Sequence, residues 1–372
     1  MLVFHVAEGI ALGHQLNYPL VFGPLAGAVL SHLDLGLYLF FVLSGYLITR
    51  SFAAAYVDGR DMPGLGRYVR NRLLRIVPAY WAIFGLLFAR HLLLPDRFPR
   101  GYFTSQPFEI LPVLGFAQNF NPFNRAAELV WPAWTLDVEI GFYLLVPVLL
   151  FGLAAAPRPG RRVGRAGLLA AVVLGLAIGS LYFRSSAPID DVWLRSLPAM
   201  LVAFTPGVLL AVLEPVVAPL LRARPAMRHA AFLLLLLAAG FFCLNHLAGP
   251  YLPAYIHTAH TWRTLLAAVA SGCVVAAPLW WQWCGHGAWR LLDNGPLRWV
   301  GRRSYSLYLV HWGIALDLGL VRGGSPAWAP AGPYRLLAIG VTVLLACSLA
   351  AAAASYRLFE RPFLDLRMRR RT

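Results

Sequence analysis

No lysine occurs in the chain; all 32 of its basic residues are arginine. Charge of either sign is sparse, at 13% of 372 residues, where soluble domains carry about 25%. Cysteine is scarce too. Cys243, Cys273, Cys284 and Cys347 show no CxxC or other ligand spacing, which argues against a disulfide framework or a thiolate metal site and leaves them as small apolar packing residues. No phosphate-binding glycine loop, dinucleotide-binding glycine pattern or GxSxG elbow occurs, which argues against an ATP-driven pump and an α/β hydrolase. Internal repeats, low-complexity tracts and a separate polar domain are also missing from the sequence.

What is abundant is apolar surface. Hydrophobic residues make up 59% of the chain and the mean hydropathy is +0.64, a composition that belongs in lipid. The net charge of +16 invites a nucleic-acid reading, but the arginines are spread over loops between apolar segments, with no basic stripe among exposed aromatics. A helix needs roughly 20 residues to cross the hydrocarbon. Segments 34–50, 76–94, 134–153, 166–183, 197–213, 229–247, 262–283, 304–321 and 334–356 meet or approach that length. Residues 1–12 are apolar as well, but as a helix they reach only about 18 Å. The first helix therefore reads as truncated, and a reading frame extending upstream of Met1 is expected. The chain is accordingly expected to be an all-α membrane protein, a bundle of about ten transmembrane helices forming one domain over 1–372 with a basic tail at 357–372. Within the long 95–133 connection, 108–118 is apolar but too short to span, and is expected to be re-entrant or interfacial.

Arginine also sets the orientation. Of the 32, 23 fall in alternate loops and the tail, and the excess of positive charge marks these as cytoplasmic. The 157–165 loop and the C-terminus are then cytoplasmic, with 184–196 and 322–333 on the outer side.

Ionisable groups within apolar spans are costly and so are functional candidates. In WPAWTLDVEIGFYLLVP, helical spacing puts Thr135, Glu139 and Tyr143 on one face. A carboxylate there can orient a base or hold a polar substrate, or it can be structural, paired with an arginine. Asp137 points elsewhere. His5 in MLVFHVAEG has the titration range of a general base or a transient acyl carrier, though a packed, hydrogen-bonded histidine is the plainer reading. Asp34, Tyr38, Phe41 and Gly45 make a stripe at helical spacing, and the small Ser44 and Gly45 admit a thin ligand or a second backbone. Ser304, Tyr308 and His311 form a comparable polar line. Arg72 and Arg75, in a run that also holds Arg67 and Arg70, are one turn apart. They can face one phosphate together or simply anchor in headgroups. His257 and His260 lack a third ligand nearby in sequence, and no metal is expected.

The stretches LVFHV, FFVLSGYLITR, YVRNRLLRIVPAYW, WTLDVEIGFYLLVP and SYSLYLVHW, in this order, resemble the signature segments of the acyltransferase-3 family of multipass membrane acyltransferases, from His5 to about Glu360. The resemblance implies transfer of an acyl group from coenzyme A on the cytoplasmic side to an acceptor, usually a sugar hydroxyl, on the outer side. It makes His5 the essential first-helix histidine and Arg72 and Arg75 the pair meeting the phosphates of coenzyme A. Phe41, Ser44 and Gly45 match the second-helix signature, Glu139 the fourth-helix carboxylate, and Tyr305, Ser306 and His311 the late motif. Asn71, and Ile140 with Gly141, depart from the family pattern beside these residues.

The expected protein is thus an O-acyltransferase of the bacterial inner (cytoplasmic) membrane, with its C-terminus cytoplasmic. It would use acyl-CoA, most readily acetyl-CoA, as co-substrate, with no bound cofactor. The acceptor would be an envelope or secreted carbohydrate or glycolipid; membrane lipids are further partners, and nucleic acid is not. His5 and Glu139 are the catalytic candidates, with direct attack and an acyl-His5 intermediate both open. Arg72 and Arg75 hold the donor, and Asp34, Phe41, Ser44, Gly45, Tyr305, Ser306, Tyr308 and His311 line the substrate channel. The rival readings are a glycan or lipid transporter or flippase, and an inactive truncated family member.

Overall fold

The computed structural model describes residues 1–13, 18–93, 107–120, 126–157, 159–188, 191–248, 256–321 and 332–368. Its helices, in chain order, are α1 (Leu2–Gly13), α2 (Tyr18–Phe22), α3 (Pro24–Ser31), α4 (Leu35–Asp58), α5 (Leu65–Leu93), α6 (Pro107–Leu114), α7 (Trp134–Ala155) and α8 (Arg162–Ser186). They continue as α9 (Asp191–Leu194), α10 (Leu197–Arg222), α11 (Ala230–Ala248), α12 (Ile256–Trp283), α13 (Gly295–Arg302), α14 (Ser304–Asp317), α15 (Pro333–Ser355) and α16 (Arg361–Met368). No strand occurs among the described residues. The protein is an all-α membrane protein, with eight helical stretches among the described residues long and apolar enough to cross a bilayer. Two of the ten expected spans are shorter: α1 has 12 residues and α14 has 14. Lipid contact explains the side chains left outside the packing, such as Leu25, Val148, Ile178 and Leu236, which would be costly in water.

The helices pack in two compact units, each assembled from separate stretches of chain. The first comprises Met1–Asp34, Gly66–Trp134 and Asn294–Thr372. Here α1 lies against α2, α3 and α15, and α14 packs on α15 and on the 3-10 segment Ala126–Ala133. Val6, Ala7, Ile10, Phe22, Trp312 and Leu344 form the shared core. An α1 glycine permits this: a Cβ on Gly9 would meet the Leu320 carbonyl oxygen at 2.1 Å. The 108–118 stretch forms α6 and a following turn sealed onto α5, with Tyr80 OH donating to the Val113 carbonyl and Trp81 Nε1 to the Leu114 carbonyl, both at 3.0 Å. Its backbone polar groups are thus bonded to protein, as non-helical backbone within a membrane requires. Asn294 starts α13 by accepting from the Leu297 N–H at 2.9 Å.

The second unit comprises Leu35–Leu65 and Thr135–Asp293. Its centre is α10, which touches α4, α8 and α12; α11 packs on α12. At the α4–α10 crossing, a Cβ on Gly45 would meet the Phe204 carbonyl oxygen at 2.5 Å, and one on Gly207 the Val42 carbonyl oxygen at 1.9 Å. Small residues on both partners bring the backbones together, as in other membrane helix pairs. One end of this unit carries the ion pairs. Arg50 grips Glu214 in a fork at 2.6 and 2.7 Å, and Arg162 meets Asp58 at 2.5 Å. Both pairs lie toward the C-terminal end of α4. Cys284 is buried against Ala218, Leu221 and Trp283 and has the packing role expected of it; Cys273 is half-buried, whereas Cys243 and Cys347 are exposed.

Candidate functional site

Two polar clusters stand out, one in each unit. In the second unit the site is built on Glu139, one turn inside α7 and buried. Its Oε1 accepts from the Ser44 hydroxyl and from the Tyr143 phenol, each at 2.7 Å. Tyr143 arrives by the i, i+4 spacing of its own helix, while Ser44 is delivered by α4 next to the Gly45 crossing. Thr135, one turn earlier on the same face, is buried too. Two hydrogen bonds to one oxygen hold the carboxylate in a fixed rotamer. Phe41 has a different place from the channel wall expected of it. It is fully buried, with its ring 4.7 Å from Phe204, which stacks on Phe142 at 4.1 Å. It therefore braces the crossing beneath the carboxylate. Asp34 lies in the turn before α4 and belongs to the first unit, so the stripe begins at Tyr38.

In the first unit α1 and α14 bring two histidines together. The rings of His5 and His311 lie 5.6 Å apart and nearly parallel, both buried, with the Trp312 ring edge-on to His5 at 5.2 Å. His311 Nδ1–H donates to the Tyr308 carbonyl at 2.7 Å, which fixes the tautomer and leaves Nε2 with its lone pair. Among the described residues neither His311 Nε2 nor either ring nitrogen of His5 has a hydrogen-bond partner, although Glu8 Oε2 stands 3.6 Å from His5 Nδ1. His5 is thus packed among rings, as the plainer alternative expected, but its ring nitrogens have no hydrogen-bond partner among the described residues.

The rest of the late motif anchors α14. Tyr305 OH donates to the Ile76 carbonyl at 2.8 Å, Tyr308 OH to the Pro132 carbonyl, and Ser306 Oγ to Glu360 Oε2 at 2.8 Å. Tyr305 thereby ties the histidine helix to α5 one residue beyond Arg75. Arg75 is exposed; Arg72 is half-buried, with its guanidinium 5.5 Å from the Tyr68 ring centre. The structure thus groups Arg72 and Arg75 near the foot of α14, His5 with His311, and Ser44 with Glu139. No group of three or more metal-binding side chains occurs among the described residues. The His257 and His260 side chains lie outside them.

Sequence reasoning missed two buried carboxylates of the first unit. Glu360, which closes the π-helical segment Tyr356–Glu360, was hidden among the arginines of the tail; Arg75 and Arg303 act on it electrostatically. Glu109 of α6 is 5% exposed. Its apolar neighbours in FEILPVL were the available signal.

The family model described as Acyltransferase domain matches residues 3–352. The chain is 27% identical over 351 residues to the putative peptidoglycan O-acetyltransferase YrhL of Bacillus subtilis, covering 88% of this chain and 50% of that protein. It is 25% identical over 377 residues to the O-acetyltransferase OatA of Staphylococcus aureus, covering 90% and 55%. Over 208 residues it is 29% identical to nodulation protein 10 of Rhizobium leguminosarum, covering 50% and 48%. The chain therefore spans about half the length of these relatives. No solved structure matches it.

Proposed function

The chain belongs to the acyltransferase-3 family, and from that premise we propose that it is a membrane O-acetyltransferase. Its donor is acetyl-CoA, and its acceptor is a hydroxyl of an envelope or secreted carbohydrate or glycolipid. Arg72 and Arg75 meet the phosphates of coenzyme A from the cytoplasmic side of the bacterial inner membrane, where the C-terminal tail also lies. The relatives named as O-acetyltransferases, one of them of peptidoglycan, support the acetyl group and the glycan acceptor.

The observation that carries this reading is the pair of buried imidazoles with unpartnered ring nitrogens. Glu8 favours a proton on His5 Nδ1, which leaves Nε2 as the base. That nitrogen takes the acceptor hydroxyl proton as the acceptor oxygen adds to the thioester carbonyl. The tetrahedral intermediate collapses with cleavage of the C–S bond, and the imidazolium returns the proton to the departing thiolate. A transient acetyl-His5 uses the same nitrogen and differs in giving ping-pong kinetics. Glu139, its Oε1 held by the Ser44 and Tyr143 hydroxyls, is the second catalytic candidate.

The test is coenzyme A release from acetyl-CoA by protein in nanodiscs, with and without bacterial envelope glycan. Release should depend on the glycan, vanish in His5→Ala and fall about 10²-fold or more in His311→Ala, the range for loss of a general base or its partner. Wild-type protein that translocates glycan without consuming acetyl-CoA would make it a transporter and overturn the reading.

A further inference from the structure

Arg184 lies in the last turn of α8 and is only 6% exposed. A guanidinium cannot shed its proton, and burying it without a counter-charge is costly. Among the described residues it has no ion pair. Its Nη1 donates to the Leu194 carbonyl at 3.1 Å, and its Nε is buried with no hydrogen-bond partner. Capping of its own helix does not account for it, because the bonded carbonyl lies beyond α8. Tyr38 is within electrostatic reach of the guanidinium, and the Tyr38 phenol meets the Thr264 hydroxyl at 3.4 Å, both buried. The guanidinium, with whichever hydroxyl of this pair does not donate to the other, offers an oxyanion donors from two sides.

These residues occupy the end of the second unit opposite the Arg50–Glu214 and Arg162–Asp58 pairs, since α4, α8 and α12 run between the two ends. Ser44, the partner of Glu139, is six residues further along α4 from Tyr38, about 9 Å along the helix. An acceptor entering at this end would meet a positive group first and a carboxylate deeper in. Its anionic group is held at Arg184 and repelled from Glu139, while a neutral hydroxyl-bearing part is free to go deeper.

We infer that Arg184, with Tyr38 and Thr264, forms an anion-binding site that recognises the oxyanion of a charged sugar acceptor, a phosphate or a carboxylate. The identification of the anion's bearer rests on the acetyltransferase reading; the site itself does not.

The probes are glucose 1-phosphate, glucuronate and glucose, titrated against wild-type protein in phosphatidylcholine nanodiscs by calorimetry, without acetyl-CoA. At least one anionic sugar should bind at least ~10-fold tighter than glucose, and rising salt should weaken it. The one that binds distinguishes phosphate from carboxylate. Arg184→Gln should remove the preference and Tyr38→Phe should reduce it. If Arg184→Gln does not fold, as judged by elution and melting, Arg184→Lys takes its place and should lose at least ~3-fold, because an ammonium lacks the two-pronged fork. Equal binding of all three sugars, or an anion preference that survives the Arg184 variant, overturns the site. Arg184-dependent binding in a protein that never consumes acetyl-CoA would leave this site standing and remove the proposed reaction. Acetyl transfer with indifferent sugar binding would do the reverse.

Discussion

Replacing Gly45 with alanine tests the geometry of the Glu139 site without touching any polar atom. The added Cβ would lie 2.5 Å from the Phe204 carbonyl oxygen and 3.3 Å from Val208 N, both backbone atoms that no rotamer change can move. Restoring an ordinary contact of 3.4 Å means separating α4 from α10 by about 0.9 Å at this point. Overpacking of this kind costs about 1–3 kcal/mol, and alanine's better helix propensity returns about 0.8–1 kcal/mol. The net loss of stability is then about 0–2 kcal/mol. Function should suffer more. Ser44 is the adjacent residue, and a 0.9 Å displacement carried to its hydroxyl stretches the 2.7 Å bond to Glu139 toward ~3.6 Å, beyond a working hydrogen bond. A bond to a charged group contributes about 1.5–3 kcal/mol, so acetyl transfer should fall by roughly 10- to 150-fold. The assay is glycan-dependent coenzyme A release beside thermal melting in the same nanodiscs. Ser44→Ala should match the activity loss with little change in melting, and Gly207→Ala, whose Cβ would lie 1.9 Å from the Val42 carbonyl oxygen, should melt lowest. A Gly45→Ala protein with full activity would refute the claim that the helix crossing sets the carboxylate's partner.

Changing Arg72 and Arg75 together to alanine should weaken acetyl-CoA binding while leaving melting nearly unchanged, because surface charges contribute little stability. The wild-type advantage should shrink at high salt, and donor affinity equal to wild type would reduce the pair to topological anchors. Reporter fusions after Gly160 and after Ala187, at opposite ends of α8, should give opposite readouts, with Gly160 cytoplasmic; matching readouts would break the orientation drawn from arginine. Glu139→Gln keeps the shape and the bonds of Ser44 and Tyr143 in altered form, and should lower transfer with little effect on melting; unchanged transfer would leave Glu139 a structural residue.

Helix positions were legible because apolar runs in a membrane protein are long and their ends are marked by charge. The largest error of placement was α5, which begins at Leu65 and not at 76; α4 and α10 also run on past their expected ends, to Asp58 and Arg222. The RYVRNRLLR stretch is itself helical, since arginine is a good helix former and carries its charge clear of the lipid. Hydropathy ends a span at its first charge, but the backbone does not. Within the sites, whatever one helix supplies could be read: the Thr135, Glu139 and Tyr143 face is plain i, i+4 spacing. What two helices supply could not. Nothing near Ser44 announces Glu139, 95 positions away, and the pairing of His5 with His311 exists only once α1 and α14 are packed. Arg184 and Glu360 were read as loop and tail charges because sequence shows a residue's neighbours along the chain and not its burial.

The interleaving of the two units also has a temporal side. The second unit draws on residues up to Asp293, whereas the first opens with Met1 and closes only with the stretch from Asn294 onward. His5 is made before its ring partner, which is 306 positions later. At a synthesis rate of ~5–20 residues per second, α1 waits about 15–60 s for α14 to emerge. Throughout that interval the nascent chain holds a lone imidazole in its first helix and has no pair. A ribosome that stalls after Asp293, or a message that ends there, leaves a product with its second unit fully encoded and its two histidines never joined.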